Sequence, residues 1–152
     1  MKIRTEISDS CEEEIIIRCQ NRTEQIIHIE TILQNLASAK RVLSLYCSGA
    51  EYFVEMEKIH FFETYDGKVY AHTKGGVFTT EYKLFALENL LPSSFVRVSR
   101  SCIANVMQVA SIKRELVGNG ELSFFDSSKK AYFSRGYYKL LREKIDEMRL
   151  GK

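Results

Sequence analysis

Two hydrophobic periods divide the chain near residue 41. Ahead of that point Ile26, Ile29, Ile32, Leu33, Leu36 and Ala37 recur at helical spacing, which predicts an amphipathic helix to about Ser38. Asn21 with Glu24 three residues later resembles a capping box at its start. Upstream, residues 2–7 alternate weakly and Ile15-Ile16-Ile17 forms a β-branched run, with Ser8-Asp9-Ser10 between them as a turn. A hairpin is expected there. The resulting β-β-α piece over 1–40 is too small to hold a core by itself, so it must pack on the rest of the chain or on another copy.

From Arg41 the period becomes two. Strands are expected over 42–47, 52–56, 58–64, 68–73 and 77–79, separated by turns at Ser48-Gly49-Ala50, Asp66-Gly67 and Gly75-Gly76. In the third of these, Ile59, Phe61 and Glu63 are expected on one face and His60, Phe62 and Thr64 on the other. Thr80 is placed to cap a short helix that buries Leu84, Leu87 and Leu91 before Pro92 ends it. Residues 95–105 read as extended, 106–116 contain another strand, and Asn119-Gly120 is a strong hairpin-turn signal leading into 122–125. A turn at 127–129 and a short strand at 131–133 follow, and from Gly136 the period is helical again, with Tyr137, Leu141, Ile145 and Met148 on one face. The pattern predicts a mainly β, antiparallel domain over 41–152 with short helices, α+β overall once the N-terminal piece is included.

Composition changes this picture little. A chain of 152 residues with 45% hydrophobic and 28% charged side chains has an ordinary globular balance and is expected to be one domain, or one domain with an appendage. No apolar run is long enough to span a bilayer, the N-terminus is too polar for a signal peptide, and the four cysteines have no C-x-x-C spacing. Reduced thiols and a cytoplasmic location are expected. The net charge of +2 is uninformative, but its distribution is not. Residues 97–142 hold nine basic side chains against three acidic ones, whereas residues 1–41 hold six basic and seven acidic. A basic second half suits an anionic partner docking on one face, though a solvated surface has the same composition.

Catalytic chemistry finds little footing. His28, His60 and His72 have no ligand-like spacing, and no phosphate loop, nucleophile elbow or dinucleotide fingerprint occurs. Cys102 lies near two arginines, which would lower a thiol pKa, but a small packing residue in a strand explains it as well. No metal or cofactor is implied.

The most informative stretch is Phe95-Val96-Arg97-Val98-Ser99-Arg100-Ser101-Cys102-Ile103-Ala104-Asn105. Arginine beside serine is apt chemistry for guanine edges and phosphate oxygens. It resembles the signature of LytTR-type DNA-binding domains, Phe-x-Arg-x-His-Arg-Ser-x-Ile/Val-Val-Asn. Phe95, Arg97, Arg100, Ser101, Ile103 and Asn105 match it, while Ser99 replaces the usual histidine and Ala104 the usual valine. A second landmark of the family, Ser-Arg before a Tyr/Leu-rich segment, is present as Ser134-Arg135 ahead of Tyr137-Tyr138-Lys139-Leu140-Leu141.

The resemblance covers roughly residues 42–150. It implies a fold of packed antiparallel sheets and a transcriptional regulator that reads successive major grooves of double-stranded DNA with loop residues. The residues it implies are Arg100 and Arg135 at motif positions and Lys68 by its place after the hairpin turn. Arg97, Ser99, Ser101, Ser134 and Lys139 join them as further DNA contacts, with the shorter Ser99 leaving one contact of the family in question. Asn105 is expected to fix its own loop. Familiar members carry a phosphoacceptor receiver domain ahead of this module. The stretch before it here is too short for one, so control by dimerisation, abundance or a separate protein partner is expected instead. The helix stripe is wider than one hairpin can cover, and a homodimer through residues 1–40 is the expectation, against packing in cis. The rival reading is a β-rich protein-interaction module whose basic face binds an acidic protein, and a weaker third is an enzyme using Cys102 or the histidines.

Overall fold

The computed structural model describes residues 14–38 and 41–151, which fall into two compact units, residues 1–39 and 40–152. In the first, helix α1 spans Glu24–Ser38. Its cap is Thr23 rather than Asn21: the Ile26 amide donates to Thr23 Oγ1 at 3.4 Å, and Arg22 reaches forward to Glu30 at 2.7 Å. Ile27, Ile32 and Leu36 are exposed along it. The expected hairpin falls on residues 2–13, outside the described residues, and on 14–19, which form no strand. β-branched side chains favour a strand only where another strand pairs with them, and none of the described strands pairs with this run.

The second unit is built on a seven-stranded antiparallel sheet of order β2-β1-β5-β4-β3-β7-β6 and a three-stranded sheet of order β10-β9-β8. The strands are β1 Val42–Cys47, β2 Ala50–Glu55, β3 Ile59–Tyr65, β4 Lys68–Thr73, β5 Gly76–Thr80, β6 Phe95–Ser99, β7 Cys102–Asn105, β8 Val109–Arg114, β9 Gly120–Phe124 and β10 Lys130–Phe133. Helix α2 is Leu84–Leu90 and helix α3 is Tyr138–Ile145, prolonged by a wider π turn over Asp146–Leu150. Both faces of the large sheet are used. Phe61, Val96, Val98, Cys102 and Ala104 pack against Leu122, Phe124 and Phe133 of the small sheet and Leu141 and Ile145 of α3. On the opposite face Leu43, Leu45, Ile59, Phe62, Ala71 and Ile103 pack against Leu84, Leu87 and Leu91.

Three local expectations give way. A β-bulge between Ile59 and Phe61 breaks the alternation in β3, so Ile59 joins Phe62 in one core. His60 and Phe61 meanwhile both stack on Phe124 in the other. Thr80 does not cap α2; its Oγ1 accepts from the Tyr82 amide in a local turn, and the helix begins only at Leu84 after an extended Lys83. Asn119-Gly120 is not a two-residue turn either. The hairpin opens into a loop over 115–119 in which Gly118 takes the left-handed conformation at φ +93°. Glu115 N donates to Asn119 O at 2.8 Å across its neck. Gly120 already lies in β9, where an added Cβ would sit 2.1 Å from the Lys113 carbonyl oxygen.

Candidate nucleic-acid interface

Strand register gathers the candidate residues at one end of the second unit. Asp66 and Gly67, with φ of +48° and +73°, form the tight turn between β3 and β4 that hairpin twist favours. Lys68 follows, exposed and opposite Tyr65. Beside it runs the β6–β7 turn that carries Arg100 and Ser101, tied to β3 by the Thr64 amide donating to Ser101 O at 2.8 Å. The Ser134 amide donates to Val98 O at 2.9 Å, which sets the start of the α3 segment against the same turn. Arg135 then donates its amide to Asn119 Oδ1 at 2.8 Å, and its stem lies over Gly118. Ser99, Ser101, Ser134, Asn119 and Tyr132, with the acidic residues Glu63 and Glu115, line an open cleft between these segments.

Among the described residues the side chains of Lys68, Arg100 and Arg135 make no hydrogen bond or ion pair, so all three are available to an incoming anion. Lys139 is 89% exposed, with only a loose 3.9 Å contact to Glu143. Ser99 and Ser101 hold each other: Ser99 Oγ accepts from the Ser101 amide at 3.2 Å, and the two hydroxyls lie 3.4 Å apart. Arg97 is placed differently from the others. Its guanidinium is engaged inside the protein, donating to Ser99 O at 2.8 Å, to Glu88 at 3.1 Å and to Arg100 O. Asn105 is buried; its Oδ1 accepts from the Met107 amide at 3.1 Å, the role in its own loop expected of it, and its Nδ2 donates to the carbonyls of Glu57 and Ile59 beyond that loop. Sequence reading misses Asn119, Gly118 and Glu88. Asn119 reads only as a turn residue, and nothing local links it to an arginine 16 positions on.

The chemistry of the remaining groups is structural. Cys102 is buried, and burial, helped by Glu63, pushes its thiol well above the usual range despite Arg97. It packs in the core with Phe61, Val96 and Val98. His60 stacks on Phe124 at 5.4 Å and His72 on Phe61 at 4.1 Å, and burial holds both below the usual imidazole pKa. Glu63 Oε1 lies 2.8 Å from His72 Nε2 and opposes the effect of burial there. Among the described residues no group of three or more His, Cys, Asp or Glu side chains is placed to hold a metal ion, and no helix is long and apolar enough to cross a membrane.

The family model of the LytTr DNA-binding domain matches residues 50–146. The chain belongs to the LytTR family. Its fold is similar to a LytTr DNA-binding domain from Bacillus cereus, described as that of a methyl-accepting/DNA response regulator. The two share 28% identity at a TM-score of 0.65, over 70% of this chain and 98% of that one. No curated protein matches. LytTR membership gives the chain its general role, DNA binding in transcription regulation, and LytTR is not an enzyme family. The LytTR architecture of antiparallel sheets with short helices is the one the periodicity and the motif implied.

Proposed function

We propose that this LytTR domain binds double-stranded DNA sequence-specifically, with Arg100 and Arg135 reading base edges in major grooves and Lys68 assisting from the neighbouring turn. Ser99, Ser101, Ser134 and Lys139 supply phosphate contacts. The observation that carries the reading is the convergence of these turns at one end of the sheets with three cationic side chains left unpaired. An arginine fork can make a bidentate pair with guanine O6 and N7, worth about 1–3 kcal/mol of discrimination for each good pair. Selecting bound fragments from genomic DNA and titrating them against scrambled duplexes tests it. Arg100→Ala and Arg135→Ala are expected each to lose discrimination while the fold survives. Equal weakening on both duplexes would reduce the arginines to phosphate contacts. Binding to an acidic protein with no affinity for duplex DNA would favour the interaction-module reading.

Residues 1–40 are proposed as a separate dimerisation element, and the protein as a cytoplasmic homodimer. Support comes from the exposed Ile27, Ile32 and Leu36 on α1 and from Ile15 and Ile16 ahead of it.

A further inference from the structure

The bulge in β6 sets up an unusual role for Arg97. Pairing between β6 and β7 slips between Arg97 and Ser99, which takes the carbonyls of the turn out of the regular ladder. Arg97 lies among the strand residues on the α2 side of the sheet, and its guanidinium turns back to that irregular segment. Nε donates to Ser99 O at 2.8 Å, one terminal nitrogen donates to Arg100 O, and the other donates to Glu88 on α2 at 3.1 Å. The Arg97 side chain is 21% exposed and that of Glu88 42%, so the bond to Ser99 O is partly sheltered while the Glu88 pair lies nearer the surface. A rigid planar fork can hold two carbonyls and a carboxylate at once, whereas a lysine ammonium is a point charge on a flexible stem.

We propose that Arg97 and Glu88 form a strut that fixes the β6–β7 turn and so aims Arg100, and that neither residue touches DNA. They are positioning residues. The inference rests on the reading of Arg100 as a base-contacting residue, and it gives Glu88 a role opposite to its charge. A carboxylate near a DNA-binding face opposes binding, so removing it should tighten binding on every sequence if electrostatics alone act. As part of a strut, its removal instead loosens the turn and costs discrimination.

The test uses the full chain in six forms: unaltered, Glu88→Gln, Arg97→Lys, Arg100→Ala, and the two double variants that combine Glu88→Gln or Arg97→Lys with Arg100→Ala. Each is titrated against a selected duplex and a scrambled one across a salt series, and amide hydrogen exchange is followed at Thr64 and Ser101. Glu88→Gln and Arg97→Lys are expected to lower the ratio of specific to non-specific affinity about three- to tenfold. The salt slope should stay unchanged, because no phosphate contact is lost. Exchange at Thr64 and Ser101 should speed up, and neither variant should add to the loss in Arg100→Ala when combined with it. Unchanged exchange in Glu88→Gln overturns the strut whatever Arg100 does. So does a Glu88→Gln protein that binds both duplexes equally more tightly, or an Arg97→Lys loss that adds fully to Arg100→Ala. Faster exchange beside an Arg100→Ala that keeps full discrimination overturns the reading of Arg100 itself, and with it the aiming role. Thermal unfolding of each variant separates a loosened turn from a lost fold.

Discussion

At Gly120 an added Cβ would lie 2.1 Å from the Lys113 carbonyl oxygen and 2.5 Å from the Phe133 ring. Neither neighbour can retreat, since one is backbone of the paired strand β8 and the other is fully in the core. Gly120→Ala is therefore expected to destabilise the fold by at least about 2–3 kcal/mol, read from the urea midpoint. Gly118→Ala meets only the flexible stem of Arg135, together with a left-handed backbone, so it should cost about 1 kcal/mol and show more in DNA discrimination than in stability. The stacked histidines make a second prediction at this scale. Burial lowers the pKa of His60 and His72 in the folded protein, with Lys129 adding to the effect and Glu63 opposing it at His72. Above the unfolded value of about 6.5 both states are neutral and stability is complete. As the pH falls below it, the unfolded chain takes up protons first and stability declines, levelling off once the folded-state pKa is passed. Urea midpoints at about pH 7.5 and 5.5 should record the decline, and His60→Phe, which keeps the ring stack on Phe124, should reduce it.

Among the elements, the ones legible in the sequence are those whose own residues decide them. The strands Val42–Cys47 and Lys68–Thr73 and the turn at Asp66-Gly67 follow from alternation and turn chemistry. Features decided by distant neighbours were not legible. Nothing in Ile59-His60-Phe61 announces the bulge, which puts Ile59 in the same core as Phe62 while Phe61 faces the other. Asn119-Gly120 has the composition of a tight turn, yet Gly120 pairs with Arg114 of β8 and Phe133 of β10 and so lies inside β9, leaving the turn to the residues before it. Thr80 has a capping side chain but bonds to Tyr82 instead. At the N-terminal unit, exposed isoleucines on and ahead of α1 predict self-association. Sedimentation at micromolar concentration should show a dimer, and deleting residues 1–40 should leave a folded monomer that binds a half-site weakly. Half-sites about one helical turn apart are expected for the intact protein. A clean monomer, free and on DNA, would remove the idea.

For the molecule as a whole, the basic excess over 97–142 overstates how many cations are free of partners. Arg97 is pinned by Glu88, Lys130 by Glu121 and Arg142 by Asp146, while Arg114 lies 4.2 Å above the Tyr138 ring. What remains is a small set of free cations rather than a uniformly basic face. With about five phosphates neutralised, the log–log salt dependence of DNA affinity should have a slope near −4 to −5, and a flat response would count against DNA as the partner. The motif marked Arg100 and Arg135 from sequence, but their supports, Asn119 and Glu88, come from elements that only the fold brings near. The same fold places Phe61 and Phe62, adjacent in the chain, in cores on opposite sides of one sheet. That sheet is a shared wall, and neither core can melt while the other stays packed against it. Residues 41–151 should then unfold in a single cooperative step, with calorimetric and van't Hoff enthalpies equal and no stage at which the reading turns are lost from an otherwise intact core.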